Sequence, residues 1–469
     1  MFAQVIMAVH EKVNIFCPIE TINRELDFRL FFAALAVRPN VRFVIGKHFT
    51  IFDLLQEIGG GVYLGQNIRP QKSNSVSTER LQKLRAAGTT LIVLDEEGGV
   101  MTGDEARWKQ WLDFRVDANA LLPYEHLCTW GNWQRDYYRE LNPENAHHIH
   151  TTGHPRFDLY KPQFRSYYDE ESNKWKERYG DFVLINTNFA WANHFMGDKF
   201  LFSENSYYDP TDSQKRLDFA RQWSHVGQVR SKMVALVMRL SIEMPHLNFV
   251  IRPHPSEDMQ SYRVIFGDAR NVFVEHEGSV GSWLLSCRAL IHDGCTTALE
   301  AHFCDVPVLN YKSVIDERYD LMLPNALGER CESEDRVLDC LQKIIGGDVG
   351  HESIGKTAAL PTQAKDLIHN FEHDAFAALT SYVHGVVEKT APSKTEHDRV
   401  LRHHRKMEKI RPLARQLKTK LRPRQKTMVE KFYGFDTHDM QKRFDKVREI
   451  TGKDVRFSML SSRVFTVEC

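Results

Sequence analysis

None of the eight cysteines, at positions 17, 128, 287, 295, 304, 331, 340 and 469, stands in a CxxC pair. No spacing of cysteine, histidine and aspartate resembles a zinc site. Several of the cysteines lie inside apolar runs, where the residue behaves as a small hydrophobe, so buried reduced thiols are expected and disulfides are not. Net charge is also missing. The 62 basic residues offset 62 acidic ones, and nothing global steers the chain to nucleic acid. No uninterrupted apolar span is long enough to cross a bilayer. The apolar start, Phe2 to Val9, has no basic region before it and meets His10, Glu11 and Lys12 without a small-residue cleavage site. The expectation is a soluble cytoplasmic protein. A GxGxxG fingerprint is absent as well, which argues against a classical dinucleotide enzyme.

What is present is alternation. A chain of 469 residues is too long for one core, and strand and helix patterns follow one another twice, as in parallel α/β sheets. The first series runs from Val13–Phe16 through Val41–Ile45, Gly61–Leu64, Thr90–Leu94 and His126–Thr129 to His147–Thr151. The segment Thr152-Gly153-His154-Pro155-Arg156-Phe157-Asp158 reads as a crossover. The second series contains Phe182–Ile185, Phe249–Arg252, Val272–Val274, Ala289–Ile291 and Val306–Tyr311. The predicted division is therefore residues 1–158, 159–387 and a basic helical extension over 388–469. In that extension, Arg399 to Lys426 carries twelve Lys and Arg against the single acid Glu408. Ile410, Leu413, Leu417 and Leu421 recur there at helical spacing, the pattern of a basic amphipathic helix.

The most informative pair of segments lies in the second series. Phe249-Val250-Ile251 is an apolar run that stops at Arg252-Pro253-His254-Pro255. Ala289-Leu290-Ile291 stops at His292-Asp293-Gly294-Cys295-Thr296-Thr297, which opens a helix. Two strand ends of one sheet that both offer phosphate ligands point to a nucleotide at the carboxyl edge of an α/β unit. The prolines stiffen the strand exit around His254, whose imidazole is then aimed to donate to a phosphate oxygen; the plain alternative is a solvated histidine in a turn. Gly294 permits the sharp turn, and Thr296 and Thr297 supply hydroxyls beside free N–H groups, although Thr296 also suits a simple helix cap. Glu300, one turn on, has the reach of ribose hydroxyls. Asn186 and Asn188 are short amides at another strand exit, suited to a base or a phosphate and equally common in turns. His292 and Asp293 divide in the same way between strand-end contacts and recognition of cytidine or sugar.

In the first series, Thr90–Leu94 ends at Asp95-Glu96-Glu97-Gly98-Gly99. Carboxylates there would face the interdomain cleft and deprotonate an acceptor hydroxyl. Glu96 is the preferred base, with Asp95 and Glu97 as alternatives and a merely solvated acidic loop as the plain reading. An Asp-x-Asp motif does not occur at this strand end, so neither a metal nor another cofactor is expected.

Between about Val13 and Lys312 the chain resembles a bacterial surface-carbohydrate biosynthesis family. That family is related to the CDP-glycerol glycerophosphotransferases and to the capsule Kdo and sialic-acid transferases of GT-B type. The matching pieces are Leu94–Gly98, Thr152–Asp158, Ile185-Asn186-Thr187-Asn188-Phe189, Arg252–Pro255 and His292–Thr297. The resemblance implies two Rossmann-like domains facing a cleft, with acceptor on the first and nucleotide on the second. It also implies an acidic catalytic pair at Asp95 and Glu96, and a donor phosphate held by His254, Thr296 and Thr297. Where the glycerophosphotransferases read Asp-Tyr-Ser-Ser, this chain has His292–Thr297, which argues against glycerol phosphate as donor. The resulting expectation is a metal-independent glycosyltransferase moving a CMP-activated nonulosonic or ulosonic acid onto a glycan or lipid-linked acceptor. Three other readings share the scaffold: a UDP-N-acetylglucosamine 2-epimerase-like enzyme, a CDP-glycerol-type transferase and a catalytically silent docking protein. The stretch 399–426 lies outside the resemblance; its charge suits an anionic membrane surface and equally a helix packed on the protein's own surface with its basic face in water, so the expected location is cytoplasmic, with the first of these two readings placing it peripherally at the inner membrane.

Overall fold

The structure, a computed structural model, describes residues 12–72, 75–99, 101–203, 208–346, 354, 362–391, 400–401 and 432–469. Its first sheet contains β1 (Val13–Ile19), β2 (Val41–Lys47), β3 (Val62–Gly65), β4 (Thr90–Leu94), β5 (His126–Thr129) and β6 (Ile149–Thr151). The second contains β7 (Phe182–Asn186), β8 (Asn248–Arg252), β9 (Val272–Val274), β10 (Ala289–His292), β11 (Val308–Tyr311) and β12 (Glu329–Cys331). Two further strands, β13 (Arg456–Ser461) and β14 (Val464–Glu468), belong to the first sheet. Strand order is β13-β14-β2-β1-β3-β4-β5-β6 in one sheet and β12-β11-β10-β7-β8-β9 in the other. All pairings are parallel except those of the β13–β14 hairpin and of β14 with β2. This is a two-unit, Rossmann-like α/β architecture with a helical C-terminal part.

The central strands are buried on both faces, which explains their unbroken apolar sequence: every residue of β1 and β7 is buried. Ile22–Ala36 is a helix with twelve of its fifteen residues buried. Apolar residues surround it because it is covered on several sides, by its own strand and by the helices Ala375–Val387 and Thr437–Thr451. One apolar cluster runs from Leu94, Trp130 and Phe157 through Tyr168 and Trp283 to Leu299, so the two units share a core at their junction.

The C-terminal part departs from expectation in two ways. Helices Thr362–Leu367 and Ala375–Val387, grouped with the second unit in the sequence reading, pack back on the first: Gln134 donates to the Leu367 carbonyl (3.1 Å) and His384 to that of Ala36 (2.7 Å). Beyond residue 432 the extension is only partly helical. After the helix Thr437–Thr451, the run Val464-Phe465-Thr466-Val467 is buried as the neighbour of β2. Apolar alternation gives the chain a strand to spend on an otherwise open sheet edge. The basic stretch 399–426 lies outside the described residues apart from Val400 and Leu401.

Candidate functional site

The loops leaving the carboxyl ends of both sheets meet at the junction. Thr102, after β4, forms an antiparallel bridge with Leu321, after β11. Met322 donates its N–H to the Met101 carbonyl at 3.3 Å, and the Arg107 guanidinium donates to the Arg318 carbonyl at 2.9 Å. The two carboxyl edges therefore face each other, the geometry required for a ligand held between them.

On the first edge the three acids have different surroundings. Asp95 is buried and paired with Arg115, whose Nε lies 3.1 Å from Oδ2. Burial raises its pKa, but Arg115 outweighs that and the net shift is downward. Glu96 is 1% exposed and sits among His154 (3.0 Å), Arg29 (3.4 Å) and Arg156 (3.9 Å). Burial again works against its charge, and the His154 N–H together with the charges of Arg29 and Arg24 holds the carboxyl well below the usual range. His154 Nδ1 accepts the Arg156 N–H (3.2 Å), which leaves the ring proton on Nε2, toward Glu96. Burial lowers the pKa of His154, so the ring is neutral beside an ionised carboxylate. The expectation that Asp95 and Glu96 open onto the cleft is not met: both are spent on buried partners. Only Glu97 keeps a solvent-facing side chain, 39% exposed, while contacting Arg115 (3.0 Å) and Arg24 (3.4 Å). Gly98 and Gly99 follow because Trp130 packs on this turn; a Cβ on Gly98 would stand 2.9 Å from the indole.

The crossover joins the edges. Arg156 is buried, with Nε 3.4 Å from Glu300 of the second unit and the Glu96 contact on its other side. Gly153, at φ 69°, allows Asn370 to approach so closely that any Cβ would lie 2.6 Å from its Oδ1. Asn370 in turn accepts from the His154 N–H (2.9 Å) and donates to Asp158 (2.8 Å). Glu300 thus turns toward Arg156 in place of the outward reach expected for ribose hydroxyls; burial raises its pKa despite Arg156 and Arg252.

On the second edge, Asn186 of β7 is in register with Arg252 of β8 and with His292 of β10. Asn186 donates to the Thr297 hydroxyl at 2.9 Å, and its buried Oδ1 has no hydrogen-bond partner. Asn188 donates to the Gly294 carbonyl (3.0 Å), fixing the turn whose glycine has φ 64°. His292 Nδ1 accepts from the Cys295 N–H (3.3 Å) while Nε2 is buried and unpartnered. Burial, reinforced by Lys312, pushes His292 down to about 3, so it is neutral. Asp293 pairs with Lys312 at 2.8 Å, and burial still raises it to about 6. The Thr296 hydroxyl makes no capping bond, and the residue is partly buried. Arg252 is buried, donates to the Gly278 carbonyl (2.6 Å) and leaves Nε without a partner. His254 is exposed on the rim, its Nδ1 accepting from the Ser256 N–H at 3.2 Å. Asn186, Arg252, His292, Gly294 and Thr297 therefore come together, with Thr296 and His254 at the edge.

Glu257 belongs to no motif in the sequence. This buried carboxylate accepts from the Thr187 hydroxyl (2.7 Å), the Phe189 N–H (3.0 Å), the His254 N–H (3.1 Å) and the Tyr262 hydroxyl (2.6 Å). It ties the exits of β7 and β8 together. An acid three residues after His254 was the only available signal. The sequence also has phosphate-loop spacing at Gly350-His351-Glu352-Ser353-Ile354-Gly355-Lys356-Thr357. A helix, Glu334–Gly346, precedes it where a P-loop needs a strand, and all but Ile354 lies outside the described residues.

No family model and no curated protein sequence matches the chain. Among solved structures the overall path of the chain is similar to that of the following three. UDP-GlcNAc 2-epimerase from Neisseria meningitidis bound to UDP-GlcNAc has a TM-score of 0.48 and 9% identity over 80% of this chain and 99% of that one. The wall teichoic acid polymerase TagF has a TM-score of 0.45 and 12% identity over 81% and 90%. S. aureus MnaA with UDP has a TM-score of 0.45 and 11% identity over 79% and 97%. At such identities, activity has to be argued from the site itself.

Proposed function

We propose that this protein is a GT-B-type, nucleotide-sugar-dependent glycosyltransferase with its donor at the carboxyl edge of β7, β8 and β10. The observation that supports this is the in-register row Arg252–Asn186–His292, where three buried side chains keep unpartnered polar atoms at one strand level. Buried polar groups call for a partner, water or ligand, and here three such groups stand side by side at one strand level. Arg252 and the Thr296 hydroxyl hold the donor phosphate, His254 closes the rim and stabilises the departing nucleotide, and Asn186 and His292 contact the nucleoside. In this reading Glu96 is a positioning residue for His154 and Arg156. Glu97, the carboxylate of the three that solvent reaches, is the base toward the acceptor.

The choice of a CMP-activated nonulosonic or ulosonic acid as donor, and of a surface glycan or lipid-linked acceptor, rests on the resemblance of Arg252–Pro255 and His292–Thr297. The charge of Arg399–Lys426 supports a location at an anionic membrane surface. Anionic liposomes should sediment the full chain at low salt, and equal partitioning into neutral liposomes would remove the membrane from the account.

The donor is tested by a thermal-shift screen with CMP, CDP and UDP. Stabilisation by CMP above the others is expected. A response to UDP alone would favour an epimerase-like activity, and no response to any nucleotide would overturn the enzyme reading.

A further inference from the structure

The first sheet has its own concavity at the carboxyl ends of β1, β2 and β3, about 400 Å³ in volume. Glu20, His48, Asn67, Arg69 and Arg80 line it, above Arg115. Two helices, His48–Ile58 and Ser75–Ala86, contribute residues of their first turns, His48, Val76 and Ser77, to its wall, and a helix start carries partial positive charge. The Arg115 charge is taken up by Asp95 and Glu97 beneath. Arg69 and Arg80 have no carboxylate at ion-pair distance among the described residues. Arg69 donates to the carbonyls of Arg115 (2.6 Å) and Gln66, and Arg80 lies over the rings of Phe49 (5.0 Å) and Phe52 (6.0 Å). His48 Nδ1 is buried without a hydrogen-bond partner. The one acid in the wall, Glu20, accepts from Asn67 at 3.2 Å. Two guanidinium groups face one carboxylate in the lining itself, with two helix starts beside them, while Asp95 and Glu97 act on Arg69 from beneath.

The rim has a different character. Val76 and Phe114 line the mouth and Phe49 stands beside Arg80, and their relative exposures are 53%, 51% and 45% for Val76, Phe49 and Phe114. Three large apolar side chains this exposed around a single cationic pocket suit a ligand with an anionic head and an apolar remainder.

We propose that this pocket binds a phosphate ester, with the phosphoryl group at Arg69, Arg80 and His48 and the ester's apolar portion on Phe49, Val76 and Phe114. That the ester belongs to the acceptor rests on the function proposed above; the binding itself does not. Arginine holds phosphate through paired N–H donors, and the two helix starts add attraction for a dianion.

The test is calorimetric titration of the full chain with geranyl phosphate, geraniol and inorganic phosphate. Geranyl phosphate is expected to bind more tightly than inorganic phosphate, and geraniol not to bind. Arg80→Gln should weaken geranyl phosphate about tenfold, the loss of one charge-assisted contact, while the thermal shift given by CMP is unchanged. Arg69 also caps a helix end through the Arg115 carbonyl, so Arg69→Gln is informative only beside Arg80→Gln; among the described residues the Arg80 side chain has ring contacts and no hydrogen bond. Phe114→Ser should weaken the ester and leave inorganic phosphate alone. Equal binding of geraniol and its phosphate, or wild-type affinity in Arg80→Gln, would overturn the anion site; equal binding of the ester and inorganic phosphate would overturn the apolar rim. A wild-type protein that binds geranyl phosphate and ignores every nucleotide would sink the donor reading and keep this one.

Discussion

Arg156 and Glu300 meet across the boundary between the two sheets, 3.4 Å apart and both buried. Arg156 comes from the crossover and Glu300 from the helix after β10, so one ion pair links the peptide that joins the units to the edge proposed to hold the donor. Glu96 lies on the other side of the same guanidinium, and the three groups tie both carboxyl edges to one cation.

That arrangement predicts a large effect from removing the cation alone. Arg156→Met leaves two buried carboxylates short of a partner and should lower stability by about 3–5 kcal/mol, the cost of breaking a buried ion pair from one side. Urea denaturation measures it. A change within the scatter of surface substitutions would mean that water already screens this junction.

Glu257 should matter for binding through positioning. Glu257→Gln puts an amide where four donors converge, and the loosened exits of β7 and β8 should weaken nucleotide affinity. Tyr262→Phe removes only one of the four bonds and should cost about 1 kcal/mol of stability with little effect on affinity. Comparable nucleotide affinity in Glu257→Gln and wild type would show that the two exits are held by other contacts.

The acid limb of stability carries a signature of the second edge. Burial holds His292 and His126 down at about 3, so below pH 6.5 the unfolded chain takes up protons that the folded chain refuses, and stability falls. Asp293 and Asp158 act in the opposite sense. Burial raises both to about 6, so between pH 6 and 4 the folded chain takes up the proton first, and stability gained there is lost again as pH rises through 6. Asp293→Asn removes one of the two offsets. Melting temperatures between pH 7 and 4 should therefore fall more steeply in this variant than in wild type, and parallel curves would contradict the burial assigned to Asp293.

The hairpin β13–β14 predicts a solubility phenotype. Deleting residues 453–469 uncovers β2, whose edge then offers unpaired backbone groups beside buried Phe43 and Ile45. Aggregation on size-exclusion chromatography is expected, and a monomeric, nucleotide-binding truncation would show that the edge is protected in another way.

Much of this was legible because it is local. Phe182–Ile185, Phe249–Arg252 and Ala289–Ile291 declare themselves as apolar runs that stop at polar residues, each within a residue of the observed strand ends, and the crossover at Gly153 to Asp158 is marked by its glycine and proline. The in-register meeting of Asn186, Arg252 and His292 was not legible, since sheet order depends on pairings distant in sequence. The burial of Glu96 was hidden for the same reason: its partners Arg29, His154 and Arg156 come from a helix and a crossover that no local pattern places beside β4. Glu257 sits in a loop without periodicity, and the strands of residues 456–468 belong to a sheet begun more than four hundred residues earlier.

The central claim is that nucleotide binds at the carboxyl edge of β7, β8 and β10. Hydrogen–deuterium exchange of the full chain with and without CMP tests it most directly. Protection is predicted in the segments Asn186–Phe189, Arg252–Glu257 and His292–Thr297, and should disappear in Thr296→Ala. Protection confined to the first sheet, or none in these three segments at a saturating concentration, would contradict the account.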